Sequence, residues 1–107
     1  MKKYDWPTHR KGDTFSKIQK FVTSLDLTDA TVTIKFRSTS PTGPVALTLT
    51  NDDGLTLSGG DTINITPFDV TIAAGIYYWD LQIEFLDGRI TTYLYGTWKI
   101  VQDTTYV

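Results

Sequence analysis

Apolar and polar residues alternate with period two along most of the chain, a pattern typical of β-strands with one buried face. Residues 31–37 show it most clearly, with Val32, Ile34 and Phe36 on one side and polar residues between them. Shorter alternating runs follow, each ended by glycine, proline or acidic turn residues. Their predicted inward residues are Val45, Leu47, Leu49, Leu55, Leu57, Ile63, Ile65, Val70 and Ile72. The pattern predicts an all-β fold, and we expect an antiparallel β-sandwich of seven or eight strands.

Residues 14–22 depart from this pattern, because Phe15, Ile18 and Phe21 recur every three residues. That spacing suggests a helix, but the segment is short and rich in β-branched and aromatic residues. We therefore interpret it as an edge strand that contains a bulge.

A long C-terminal hairpin gives the strongest signal, since residues 76–86 and 89–101 flank the dipeptide Asp87-Gly88. Asp-Gly between alternating apolar runs predicts a two-residue type I′ turn, which needs positive φ at both positions. Such a turn pairs Leu86 with Arg89 and thereby fixes every other pair in the hairpin.

One face of the predicted hairpin is nearly all apolar and should belong to the core. We expect Trp79 to lie opposite Gly96, where the missing side chain leaves room for the indole. Phe85 should face Ile90, and Ile83 should face Thr92. The predicted core residues of the hairpin are Tyr77, Trp79, Leu81, Ile83, Phe85, Leu94, Gly96 and Trp98.

The opposite face of the predicted hairpin carries Tyr78, Tyr93 and Tyr95. Exposed aromatic side chains on a sheet can stabilise it through cross-strand packing, form a protein interface or stack on sugars. All three interpretations are open for these tyrosines, and they are the main candidate interface residues on the hairpin.

The length of 107 residues suits one domain, and we divide the chain into an arm at 1–13 and a sandwich domain at 14–107. The arm contains Trp6, a large apolar residue in a polar stretch. Trp6 either folds back on the core or anchors a partner. The chain has no cysteine, so a disulfide framework and thiolate metal sites are excluded.

Charge is distributed unevenly along the chain. Residues 1–20 hold six basic and two acidic side chains, a charge of +4, so the remainder carries −6 within the total of −2. A net negative chain predicts no general affinity for nucleic acid. The arm is either a solvated basic segment or a segment that docks on an acidic neighbour, such as another copy of the chain.

The sequence offers no membrane or export signal that we recognise. No apolar run approaches the roughly 20 residues of a transmembrane helix. The N-terminal residues are basic but are not followed by an apolar region, so we do not expect a signal peptide.

The residue types in this sequence give little support for a catalytic site. The only histidine, His9, lies in the predicted arm, which leaves no base for a nucleophilic triad. Asp80 and Glu84 share the outer face of the hairpin as solvated residues. The run Asn51-Asp52-Asp53-Gly54 predicts a turn, because it lacks the spaced oxygen ligands of a calcium loop. We expect no enzyme, no cofactor and no metal.

Several motifs together resemble a known family. They are Gly12-Asp13-Thr14-Phe15, residues 25–32, Arg37, residues 74–83, Asp87-Gly88-Arg89 and Gly96-Thr97-Trp98-Lys99-Ile100. Their order resembles the small immunoglobulin-like modules encoded by tailed phages and prophages, and is similar to the N-terminal domain of the baseplate upper protein family. Tyr77, placed two residues before the inward Trp79, also resembles the tyrosine corner of immunoglobulin-like domains.

The resemblance implies a structural component of the virion, in the tail, baseplate or neck, assembled in the host cytoplasm. Its partners would be other virion proteins or further copies of the same chain. Baseplate upper proteins continue into further domains, whereas this chain stops at Val107. We therefore expect a small accessory or adaptor protein, or an excised module. The alternative hypothesis is a carbohydrate-binding or adhesin-like module that uses the outer tyrosines.

Overall fold

A computed structural model describes residues 2–15, 20–23, 25–51 and 53–102, and every regular element in these ranges is a β-strand, so the all-β prediction is confirmed. The described ranges contain no helix with the length and hydropathy needed to cross a membrane. The strands are β1 (Lys2–Lys3), β2 (Trp6–Arg10), β3 (Thr14–Phe15), β4 (Lys20–Val22), β5 (Thr31–Ser38), β6 (Val45–Asn51), β7 (Gly54–Ser58), β8 (Thr62–Ile65), β9 (Phe68–Asp69), β10 (Gly75–Glu84) and β11 (Ile90–Val101).

Nine of these strands form one sheet in the order β1-β11-β10-β5-β6-β7-β8-β4, with β2 also paired to β11. Strands β3 and β9 form a separate pair. The described strands outnumber the seven or eight expected, because several short segments pair independently. Purely antiparallel pairing was also a wrong expectation, since β1 and β2 run parallel to β11, and β6 runs parallel to β7. The described sheet is therefore mixed.

Strand β5 follows the alternation that predicted it. Val32, Ile34 and Phe36 are fully buried, while the residues between them are partly solvated. β5 lies between β10 and β6 and pairs antiparallel with both. A strand with neighbours on both sides and one apolar face is the stable centre of such a sheet.

The hairpin of β10 and β11 has the predicted register over its outer half. Trp79 lies opposite Gly96, and Tyr77 lies opposite Trp98. Nearer the turn the prediction is wrong by one residue, because the loop has three residues instead of two. The amide of Gly88 donates to the carbonyl of Phe85 at 2.9 Å, and Gly88 has φ of 91°. A turn followed by a left-handed glycine is the usual three-residue hairpin loop.

A β-bulge lies between the half of the hairpin that has the predicted register and the half that is shifted by one residue. Leu81 pairs with Leu94 and Gln82 pairs with Thr92, so Tyr93 is the extra residue on β11. The shift moves Ile90 from its predicted place opposite Phe85 to a place opposite Glu84, where it is 63% exposed.

Two smaller corrections concern the first strands and β6. Residues 14–22 contain β3 and β4 as separate strands, and Ile18 lies outside the described residues. Val45, predicted to point inward, is 43% exposed, because the β5–β6 ladder has an irregularity between Arg37 and Phe36. An extra residue in one strand reverses which face its side chains occupy.

The N-terminal segment belongs to the sheet and not to a separate arm. Trp6 pairs with Trp98 on β11 and is only 4% exposed, so it folds back on the core of its own chain. Its ring stacks on Phe15 at 4.9 Å between centroids and contacts Phe36, Trp79 and Trp98 at 4.9 to 5.3 Å. Of the two alternatives for Trp6, the structure shows the first, and the side chain is not available at the surface as a candidate interface residue.

A close approach at Gly96 holds this segment in place. The indole Nε1 of Trp79 donates to the carbonyl of Tyr4 at 2.8 Å. A Cβ atom on Gly96 would overlap that same carbonyl oxygen and lie 2.9 Å from the Nε1 of Trp79. Gly96 therefore makes room for the N-terminal backbone as well as for the predicted indole.

We predict that Trp79→Ala lowers the free energy of unfolding by about 3–5 kcal/mol, because it leaves a large cavity in the aromatic core. Trp79→Phe should lose less, since it keeps a ring and gives up only the indole bond to Tyr4 and part of the volume. Urea unfolding followed by tryptophan fluorescence and circular dichroism measures both. Equal stability of the three proteins would contradict the described packing of Trp79.

Candidate functional site

A groove of about 420 Å³ lies on the outer face of β1, β11, β10 and β5. The alternation of strand side chains builds it, since residues two apart on a strand share a face. Tyr95 has Asp80 on one side and Lys3 on the other as cross-strand neighbours. Tyr78 lies between Thr97 and Arg37 in the adjacent row. The groove therefore has two tyrosines on diagonal positions, each beside a cationic residue.

The polar groups of the groove are mostly free to bind a ligand. The guanidinium of Arg37 donates to the carbonyl of Gly43 at 3.0 Å, which anchors it at the groove edge. Asp80 is half-buried, and its carboxylate has no hydrogen bond or ion pair with any described residue. Such a carboxylate can accept a hydrogen bond from a bound donor.

The wall of the groove is fixed by the N-terminal segment. The carboxylate of Asp5 accepts hydrogen bonds from the amide and the hydroxyl of Thr97, at 3.0 and 3.1 Å. The amide bond to Thr97 is the main reason that the pKa of Asp5 lies below its ordinary value. Asp5 thereby ties the N-terminal segment to β11, and Lys3 of the same segment lies opposite Tyr95.

Two of the three candidate tyrosines lie where the sequence predicted them. Tyr78 and Tyr95 are on the outer face, and Tyr95 is 39% exposed. Tyr93 is not on that face, which corrects the prediction. Its hydroxyl donates to the carbonyl of Thr23 at 3.2 Å, and its ring packs against the core. The bulge explains the difference, because an extra residue re-aims a side chain toward the other face.

Sequence reasoning missed Lys3, Arg37 and Pro41 as lining residues. The alternation of β5 does place Arg37 outward, which is a usable signal. Nothing in the sequence indicated that β5 would lie beside β10, or that Lys3 would lie beside Tyr95. These are long-range pairings, and local patterns carry no information about them.

The other residues that could have served in catalysis or metal binding have structural roles. His9 is 5% exposed, and its Nε2 donates to the carbonyl of Asp13 at 2.9 Å, so it is not part of a flexible arm. The side chain of Asn51 bonds the backbone of Ala30 and Val32. Among the described residues, no group of three or more potential ligands is arranged to hold a metal.

No protein-family model, curated protein or solved structure matches this chain.

We predict that alanine substitution of Tyr93 and of Tyr95 changes the free energy of unfolding by very different amounts, because the bulge places the two side chains on different faces. Tyr93→Ala should lower the free energy of unfolding by about 2–4 kcal/mol, because it removes a ring packed on the core. Tyr95→Ala is the matched control on the outer face and should change it by less than about 0.5 kcal/mol. Thermal unfolding measures both. A larger loss for Tyr95→Ala than for Tyr93→Ala would contradict the bulge.

Proposed function

We propose that this chain is an immunoglobulin-like module that serves as a non-enzymatic structural or assembly component of a phage or prophage particle. Its place would be the tail, the baseplate or the neck, and its partners would be other virion proteins or further copies of itself. The proposal rests on the motif resemblance, and on features of the fold that agree with an immunoglobulin-like sandwich.

The order of the strands supports the sandwich. In immunoglobulin domains one layer has the order G-F-C-C′ and the other contains B-E-D. The run β11-β10-β5-β6 corresponds to the first layer, and β4-β8-β7 corresponds to the second. The join between the two runs is short, since β6 and β7 pair only through Thr50 with Gly54 and Asn51 with Leu55. The two runs can therefore be regarded as two layers linked at one corner.

The observation that carries the immunoglobulin-like part of the proposal is the hydrogen bond of Tyr77. Its hydroxyl donates to the carbonyl of Ala73, four residues earlier, at 2.6 Å, and Tyr77 is 5% exposed. A tyrosine near the start of the F strand that bonds backbone a few residues upstream is the tyrosine corner of such domains. Burial raises the pKa of the Tyr77 hydroxyl, so the group stays a donor at neutral pH.

The arrangement of possible catalytic groups supports a non-enzymatic role. His9 is committed to a backbone bond inside the aromatic core. Asp26 and Asp87 are engaged in turns, since they accept from the amides of Thr28 and Arg89, both at 3.0 Å. The groove instead presents aromatic and charged groups to a partner, which is the composition of a binding surface.

We predict that the chain is present in purified particles of the strain that encodes it. Mass spectrometry of those particles should detect it at a constant ratio to the tail proteins across preparations. A strain without the coding sequence supplies the control. Absence of the chain from particles that contain all other tail proteins would contradict the proposed function.

A second candidate function is carbohydrate binding, which the groove itself favours. Tyr78 and Tyr95 offer aromatic faces for stacking, and their hydroxyls make no hydrogen bond with described residues. The unpartnered carboxylate of Asp80 can accept sugar hydroxyls, and Arg37 can donate to them. Few polar groups on a mostly apolar concave wall are the usual composition of a small-ligand site.

We predict for this candidate that a glycan array gives a signal with the intact protein which Tyr78→Ala with Tyr95→Ala abolishes. Leu86→Ala is the matched control, because Leu86 is 76% exposed and lies at the hairpin tip, away from the groove. It should retain the signal. A broad array without signal for the intact protein would remove carbohydrate binding.

A further inference from the structure

One end of the molecule is acidic and carries exposed apolar side chains. We call it the loop end, formed by residues 25–30, 53–54, 59–61 and 84–90. The amide of Leu27 donates to the carbonyl of Gly60 at 2.8 Å, and the side chain of Asn51, two residues before Asp53, donates to the carbonyl of Ala30. Residues of 25–28 and 85–89 line one cleft. The acidic side chains at this end are Asp26, Asp29, Asp53, Asp61, Glu84 and Asp87.

Little positive charge offsets these acids. Among the side chains that the structure describes, Arg89 is the basic group of the loop end, and it already pairs with Asp87 at 2.8 Å. Backbone hydrogen bonds to Asp87 and the hydrogen bonds from Thr28 to Asp26 keep the pKa values of both carboxyls low. Asp26 and Asp87 therefore keep their negative charge to a lower pH than an ordinary aspartate does.

Apolar groups lie among these acids. Leu86 is 76% exposed at the tip of the hairpin, and Ile90 is 63% exposed opposite Glu84. A cleft of about 550 Å³ separates the tip from residues 25–28. Exposed leucine and isoleucine within a charged rim have the composition of a protein interface.

The opposite end of β10 and β11 has the complementary composition. We call it the far end, and its basic side chains are Arg10, Lys11 and Lys99. Arg10 lies opposite Val101 in the β2–β11 ladder, and the amide of Lys11 donates to the carbonyl of Val101 at 2.8 Å. Ile76 lies directly opposite Lys99 and is 54% exposed.

The described acids nearest the far end are Asp13 and Asp69. Asp13 directly precedes β3. Asp69 of β9 lies opposite Thr14 of β3 and accepts a hydrogen bond from the Thr14 hydroxyl. Neither makes an ion pair with Arg10, Lys11 or Lys99. The far end thus combines an exposed isoleucine with basic groups that no described acid neutralises by direct pairing.

We propose that the loop end of one copy docks on the far end of a second copy. Leu86 and Ile90 would meet Ile76, and Glu84 and Asp53 would face Lys99 and Arg10. Because the two surfaces differ, the contact is heterologous, and repetition of it gives a closed ring or an open filament. Such a contact would be independent of the tyrosine groove.

The charge component makes the association sensitive to salt. Exposed charges interact over roughly 10 Å at 0.1 M salt, and more salt shortens that range. The mass measured by light scattering should therefore exceed the monomer mass at about 0.02 M salt and fall toward it at about 0.5 M salt. The full chain is used throughout.

Two charge-reversal variants test which surfaces meet. The loop-end variant is Glu84→Lys with Asp53→Lys, and the far-end variant is Arg10→Glu with Lys99→Glu. These four side chains are exposed and take part in no hydrogen bond or ion pair of the described structure, so the fold should survive, as circular dichroism would verify. Each variant alone should have the monomer mass at low salt, because the four facing side chains then all carry the same sign of charge.

An equimolar mixture of the two variants should regain the associated mass, since each then offers an end that the other complements. Leu86→Ala should weaken association of the otherwise unchanged chain. A monomer mass for the unchanged chain at low salt and high concentration would overturn the proposal. Association of either variant alone, or failure of the mixture to associate, would overturn it as well. A basic protein of another kind as the true occupant would produce the first of these outcomes.

Discussion

The fold depends on how the N-terminal strand enters the aromatic core. Trp6 inserts among Phe15, Trp79 and Trp98, and two indole groups bond to carbonyls of the same segment. This backbone can approach only because Gly96 has no side chain. The burial of large aromatic rings gives a chain of this size, without disulfides, enough apolar contact to be stable. The groove depends on the same segment, because Lys3 lines it and Asp5 bonds to Thr97, another lining residue.

Sequence patterns predicted those features of the fold that depend on residues close together in the chain. The alternation in β5 identified its buried residues, and Asp87-Gly88 identified the hairpin. The same dipeptide is compatible with a two-residue or a three-residue loop, so the register near the turn could not be derived from it. The bulge at Tyr93 has no sequence signature, and it decides which face that tyrosine occupies. Pairings between strands distant in sequence could not be predicted from such patterns either, including the one that places Arg37 beside Tyr78.

The two faces and two ends of the sheet offer different kinds of binding. The groove presents aromatic rings with isolated charged groups, which suits a small or extended ligand. The loop end and the far end present apolar groups within rims of opposite charge, which suits a repeated protein contact. The bulge is relevant to both surfaces. It turns Thr92 toward the groove and Ile90 toward solvent, whereas an unbroken ladder would bury both.

The pairing of β2 with β11 joins the first and last parts of the chain, since Trp6 lies beside Trp98. A contact between residues so far apart in sequence closes a long loop, and folds rich in such contacts form slowly. Among the described strands β2 pairs with β11, so during synthesis this pairing cannot form until β11 has left the ribosome. A nascent chain in that state has β2 unpaired, which makes it prone to aggregation or to exchange of β2 with another copy.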